Sequence, residues 1–333
     1  MKNLTLISSF CLCTLIGFTQ NVPQLSFKDA YIVQHNLKVG ETYVGGLSGI
    51  EYSGADNVYL AVADKPDTRF YNIKIDVGQY LDVQFKDAVT MVEPSKGEDE
   101  SIRIRPATHD VYLTDERSNK VYLWQTQNYW PYTVELPLPQ KYDGMQSNAG
   151  FEGMAFSELG DTLYLSLERP LKREQNCGLT HTVGGLTRIL ALDLQNQGKV
   201  LAEYAYPLEN LDSIASGDNG ISEIVHWKDD LFFVMERVFF SSLGRTSVRI
   251  FLVDFSQADD VKNLDMCNLP MRTRKLKPIK LFDFFTFRGT RGFTKADNLE
   301  GMCIIADGKH LLLLSDNNFR SSQQTQIICL KID

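Results

Sequence analysis

Five times along the chain, two short apolar runs joined by a turn are bracketed by polar side chains. The pairs are Ser48 and Asp64, Glu100 and Glu116, Glu152 and Glu168, Glu223 and Glu236, and Glu300 and Asp316. Four pairs are sixteen residues apart, and the Glu223 pair is thirteen apart. A hairpin returns the chain to its starting edge, so each bracket places its two polar groups at one end of one sheet. A unit repeated in this way is the mark of an array fold. Arranged radially, the five edges converge on one mouth, which predicts a ring of carboxylates at a central pore.

The segments between the brackets also read as strands. Val83–Met91, Lys120–Gln125, Tyr132–Leu138, Thr187–Leu194, Lys199–Tyr206, Val248–Phe255 and Lys277–Phe284 are rich in β-branched and aromatic residues, and no long segment has a 3.6-residue period. Four-stranded sheets recurring about every fifty residues predict an all-β fold, a β-propeller. Five blades are counted. A sixth, degenerate blade in the longer intervals is the alternative. The last set has only three strands before the chain ends, so the strand-like Leu25–Val33 is expected to supply its fourth and latch the ring.

Residues 1–19 read as a signal peptide, with Lys2, the apolar stretch Leu4–Ile16 and the small residues Gly17 and Thr19. The stretch is short for a membrane span. Phe10 and Leu12 stand where a lipidated Cys11 or Cys13 needs a small residue, so export to the periplasm or medium is favoured over lipidation. Residues 20–333 then form one propeller domain. Cys177 and Cys267 lie in irregular segments suited to a disulfide, whereas Cys303 and Cys329 sit in apolar strands as thiols; a fully reduced set is the other reading. Net charge is −8, from 34 basic and 42 acidic residues without a long basic run, which argues against nucleic acid as a partner.

The motifs Gly46–Glu51, Asn148–Met154, Leu167–Leu171, Gly220–Ile224, Met235–Arg237, Asp297–Met302 and Ser315–Phe319 resemble the phytase-like esterase-domain family of exported bacterial proteins. That resemblance implies hydrolysis of a small-molecule ester or phosphate ester. A looser similarity links the Glu-Gly-Met turns to the strand starts of calcium-dependent lactonase propellers, with Met in place of Pro.

Carboxylates converging on a pore repel one another, and a hard cation relieves that repulsion. Glu100, Glu152, Glu223 and Glu300 are therefore candidate ligands of Ca²⁺, with Asn148, Asn219 and Asn298 as further oxygen donors. The competing reading is that these side chains bond to backbone amides or arginines. Arg117, Arg169 and Arg237 each follow a bracket-closing Glu and are candidates for binding a substrate anion. Asp297 and Glu300 are the candidate catalytic acids or bases. No Gly-x-Ser-x-Gly elbow or His-x-x-x-His pair is present, so metal-activated water is preferred to a serine nucleophile. His226 reads as structural, and His181 as a loop residue within reach of a mouth. Phe282–Phe293 reads either as a lid or as a connector. The functional alternatives are a non-catalytic ligand- or protein-binding propeller and a lactonase-type hydrolase.

Overall fold

The computed structural model describes residues 22–63, 69–90, 98–125, 132–146, 149–175, 185–209, 217–240, 243–290 and 292–333. The leader, Asp64, Asn148, Cys177 and His181 lie outside the described residues. With 56% strand and 6% helix, the chain is all-β, and its sheets form five four-stranded antiparallel blades in a ring. The sixth blade is excluded.

The N-terminal strand β1 (Leu25–Ile32) is followed by a small hairpin, β2 (Lys38–Val39) and β3 (Thr42–Tyr43). Blade 1 comprises β4 (Leu47–Tyr52), β5 (Val58–Ala63), β6 (Arg69–Val77) and β7 (Leu81–Thr90). Blade 2 comprises β8 (Asp99–Ile104), β9 (Val111–Asp115), β10 (Lys120–Gln125) and β11 (Tyr132–Glu135). Blade 3 comprises β12 (Phe151–Phe156), β13 (Thr162–Leu167), β14 (Leu186–Asp193) and β15 (Lys199–Pro207). Blade 4 comprises β16 (Gly217–Lys228), β17 (Leu231–Phe240), β18 (Arg245–Asp254) and β19 (Ile279–Asp283). Blade 5 comprises β20 (Asn298–Ile304), β21 (His310–Asp316) and β22 (Gln326–Ile332), with β1 as its outermost strand. The inner strands β4, β8, β12, β16 and β20 each contact the next, and β20 contacts β4.

The core is a set of apolar layers between blades. Phe233 and Met235 of blade 4 pack with Met302 and Leu311 of blade 5, whereas Phe232 and Val234 of the same strand pack with Ala155 and Ile189 of blade 3. Adjacent residues of a strand face opposite ways. A strand covered on both faces therefore reads as an unbroken apolar run, as Leu231–Met235 does. The closing strand is held by pairing from Leu25↔Ile332 to Ile32↔Gln326 and by aromatic packing. The Phe27 ring lies 4.9 Å from that of Phe287 and 5.2 Å from that of Phe293. The rings of Phe287 and Phe293 thus pack on the latch. Cys303 and Cys329 are free and buried, and Cys267 is disulfide-bonded.

Each inner strand carries a β-bulge near its start. The pairings Leu47↔Ala63 then Gly49↔Val62, Phe151↔Leu167 then Gly153↔Ser166, and Leu299↔Ser315 then Gly301↔Leu314 skip Ser48, Glu152 and Glu300. Glu100 occupies the same place in blade 2, where Asp99↔Asp115 is followed by Ile102↔Leu113. In blade 4 the skipped residue is Ser222, between Ile221↔Glu236 and Glu223↔Met235. The blade 4 hairpin therefore stands one residue out of step with its sequence bracket. Ser222 and Arg237, and not Glu223 and Glu236, occupy the places that Glu152 and Glu168 occupy in blade 3.

Glu223 instead sits on the axis, level with Gly49, Ser101, Gly153 and Gly301. The glycines are required there. A Cβ on Gly153 would lie 2.7 Å from the Ile224 nitrogen, and one on Gly301 3.1 Å from the Gly49 Cα. Glu223 pairs with the buried Arg103 at 2.9 Å and accepts from Ser101 Oγ and the Met154 amide. Arg103 also donates to the carbonyls of Ile50, Ile102, Ile224 and Met302 at 3.2, 2.7, 2.9 and 3.1 Å. Its second acid partner is Glu51, at 3.4 Å. Between them, Arg103 and Glu223 bond to inner strands of all five blades.

Two outcomes follow from this axis. Removing one partner of a buried ion pair leaves an uncompensated charge, so Arg103→Met is expected to cost about 3–5 kcal/mol in chemical denaturation. Adding Glu223→Gln should recover part of that loss. Burial also pushes the carboxyls of Glu51 and Glu223 from 4.5 up to about 7, against the lowering effect of Arg103. Burial likewise raises Glu236 to about 7, against hydrogen bonds from Asn219, Tyr206 and the Glu209 amide. A folded-state pKa above the unfolded value gives stability that is present below the ordinary carboxylate range and lost as pH rises through about 7. The melting temperature should therefore fall between pH 5 and pH 8, and Glu236→Gln should flatten that slope.

Candidate functional site

The bulges and strand ends bring polar side chains to one mouth of the ring. Glu116, at the end of the first hairpin of blade 2, meets Glu152 and Glu168 of blade 3. One carboxylate oxygen from each lies within 4.8 Å of the others, and all three residues are buried. Local backbone fixes the positions. Glu152 is set by its bulge, and the Glu168 amide donates to the Gly150 carbonyl at 3.0 Å. The Gly150 amide donates to Glu116 Oε1 at 3.3 Å. Gly220 of blade 4 leaves room for the group, since a Cβ there would stand 2.6 Å from the Cγ of Glu168.

Electrostatics at this cluster favour bound protons or a bound cation. Burial, then the neighbouring Glu168, push the Glu116 carboxyl up to about 7. Burial followed by Glu168 and Glu116 hold Glu152 well above the ordinary range. Like charges this close cannot all ionise without a counter-charge. A cation from the next blade, Arg237 of blade 4, lies 3.8 Å from Glu168 and 3.2 Å from Glu300 and donates to Asn298 Oδ1 at 2.9 Å. Its own proton is held more tightly because Glu300, Glu152 and Glu168 outweigh its desolvation. Arg237 therefore spans blades 3 to 5 across the mouth, in the place that blade 3 gives to Glu168.

Of the residues proposed as metal ligands, only Glu152 lies in this cluster. Glu300 accepts from Arg237 and from Asn298 Nδ2 at 2.7 Å. Glu100 occupies the matching bulge of blade 2. Glu223 is replaced in the ring by Ser222, because a one-residue shift in register turns a side chain to the other face. Asn219 donates its side-chain amide to Glu236 at 2.8 Å and is not one of the clustered ligands. Arg169 lies 3.5 Å from Glu168 and Arg117 is exposed. Both oxygens of Asp297 accept backbone amides, from Asn298 at 3.1 Å and Gln324 at 2.9 Å, so it holds the strand start and the facing loop together. His226 is hydrogen-bonded to the Asp229 carbonyl at 2.8 Å.

Sequence reasoning did not single out Glu116 and Glu168 as ligands, although both close sixteen-residue brackets. It also missed Arg103, whose signal is a charged residue within an apolar inner strand. Asn119 is a further addition. Its Oδ1 is buried without a hydrogen-bond partner, and it shares the space over Gly150 with the Glu116 side chain.

A family signature described as "Phytase-like: Esterase-like activity of phytase" matches residues 42–319. No curated protein sequence matches the chain. Among solved structures, an endo-arabinase from Bacteroides thetaiotaomicron VPI-5482 is 9% identical, covering 90% of this chain and 98% of its own at a TM-score of 0.48. The periplasmic gluconolactonase PpgL of Pseudomonas aeruginosa is 13% identical, covering 84% and 68% at 0.38. Virginiamycin B lyase from Staphylococcus aureus is 11% identical, covering 94% and 100% at 0.38. At these scores the likenesses say nothing of chemistry.

The repulsion within the cluster is measurable. In chelator at neutral pH, Glu152→Gln should raise the melting temperature by a few degrees, because a neutral amide spares the fold the cost of keeping a buried, crowded carboxyl protonated. A lowered melting temperature would mean that Glu152 is held by favourable bonds instead.

Proposed function

The chain belongs to the phytase-like family, and on that premise we propose that it is a hydrolase of phosphate esters or carboxylic esters acting at the acidic mouth. The observation that supports this reading most is the buried group of Glu116, Glu152 and Glu168, with oxygens within 4.8 Å of one another. The donors are hard, anionic oxygens, and the unpartnered Asn119 Oδ1 adds a neutral one beside Glu116. Such a set suits Ca²⁺, which takes six to eight oxygen ligands. When bound, such a cation polarises a phosphoryl or carbonyl oxygen and lowers the pKa of water.

The chain's own residues divide the remaining work. Arg237, braced by Glu300 and Asn298, sets a positive edge beside the carboxylates and orients an anionic ester group. Arg169 adds a second donor from blade 3. Glu300, held against Arg237, is placed to take a proton from an attacking water. Asp297 positions Asn298 and through it Glu300. Export to the periplasm or medium belongs to the same reading. Among the described residues no helix is long and apolar enough to cross a membrane.

One observation favours a second reading, a non-catalytic binding propeller. Glu223, Glu236 and both oxygens of Asp297 are taken up by internal bonds. Turnover separates the two. Bis-p-nitrophenyl phosphate, p-nitrophenyl acetate and a gluconolactone would be offered to protein stripped by chelator, with and without Ca²⁺. The hydrolase reading expects Ca²⁺-dependent turnover of a phosphate or carboxylic ester. Glu152→Gln should lower it by about 100-fold or more, as loss of a ligand or an electrostatic group does. Arg237→Met should raise KM more than it lowers kcat. Absence of turnover together with unchanged melting in Ca²⁺ would leave the binding propeller.

A further inference from the structure

We propose that the seam where the N-terminal segment meets blade 5 is a binding pocket for a neutral polyhydroxylated ligand, a sugar or sugar alcohol. The cavity there measures about 290 Å³ and is bounded by residues 32–36, Val44 and the loop 317–325. Its polar wall is made of amides and hydroxyls, Gln323 and Thr325 among them, with one imidazole, His35, and no Asp, Glu, Lys or Arg lines it. Such a wall offers many donors and acceptors but no carboxylate, ammonium or guanidinium as a counter-ion. That matches hydroxyl groups, which both donate and accept, and disfavours ionic ligands.

Two atoms of this wall are left without partners. Thr325 is 3% exposed, and its Oγ1 makes no hydrogen bond. The Oε1 of Gln323 is buried and likewise unpartnered. Buried polar groups are nearly always satisfied, so a pair of unsatisfied ones lining one cavity points to a ligand that satisfies them. The surrounding backbone is fixed. The Val33 amide donates to the Thr325 carbonyl at 2.9 Å, and the Gly46 amide donates to Asn317 Oδ1 at 3.2 Å. The pocket is thus formed before any ligand arrives, which keeps the entropic cost of binding low.

Its position relates it to the mouth without depending on the chemistry there. The loop 317–325 leaves directly from Asp316, the bracket residue that closes blade 5. Gln324 donates its amide to Asp297, whose own amide donates to Gln326 Oε1 at 2.8 Å. A ligand seated in the pocket would lie beside the strand start that carries Asn298 and Glu300. The inference stands whether or not the mouth is catalytic.

The test is calorimetric titration of D-glucose, D-galactose and D-mannitol into the full mature protein, with gluconate as the charged counterpart. At least one neutral probe should bind the parent, and gluconate should bind it more weakly. Thr325→Val preserves shape and removes only the unpartnered hydroxyl, so it should fold as the parent does. It should weaken binding about five- to tenfold, the worth of one neutral hydrogen bond, and Gln323→Leu should do the same. Three results would overturn the proposal: no neutral probe binding the parent, gluconate binding as tightly as glucose, or both variants binding with parent affinity.

Discussion

The Arg103–Glu223 pair on the propeller axis is the contact on which the ring depends. Inner strands of adjacent blades converge there, and their carbonyls point into a space too small for five ordinary side chains. Arg103 fills it with a planar, multi-donor group that reaches the carbonyls of blades 1, 2, 4 and 5, and Glu223 takes the Met154 amide of blade 3. A lysine would bring one compact charge and could not divide its donors in this fork-like way. A buried ion pair is seldom better for stability than well-packed apolar groups. Its contribution here is geometric, since its hydrogen bonds set how far the five inner strands stand from the axis.

That axis accounts for the odd blade. Blade 4 is one residue out of step with the bracket pattern, and the shift has two consequences at once. It puts Glu223 where the other blades carry glycine or serine, supplying the partner that Arg103 needs. It also brings Arg237 to the mouth in the place held by Glu116 in blade 2 and Glu168 in blade 3, so the acidic rim receives a cation. The same register change thus neutralises part of the mouth and anchors the centre. The carboxylates of blades 2 and 3 are nevertheless left crowded, and burial with mutual repulsion holds Glu116 and Glu152 in the protonated direction against the opposing effect of Arg237 on Glu152.

Much of this was readable in the chain because it depends on local pattern. Hairpin spacing located the inner strands, the incomplete last set called for the strand at Leu25, and the apolar surroundings of Cys303 and Cys329 marked them as buried thiols. The mouth was readable only in outline. Glu152 and Glu300 stand where their brackets indicate, but Glu223 does not, because a bulge at Ser222 is a property of strand pairing that a thirteen-residue interval hints at without locating. Glu116 and Glu168 looked like mere bracket ends, since nothing local says which two blades bring their acids together.

The blade unit, its repetition and the edge on which polar groups collect are written in local pattern, because alternation and turn spacing are short-range constraints. The number of blades that close the ring, the acids that share a mouth, the arginine that faces them and the arginine that fills the axis emerge from the folded ring alone. Those depend on register and on ring closure, which join residues far apart in the chain, such as Arg103 with Met302 and Val33 with Thr325. Distance along the chain carries no record of such meetings until the apolar layers between blades fix the angle at which each sheet presents its edge.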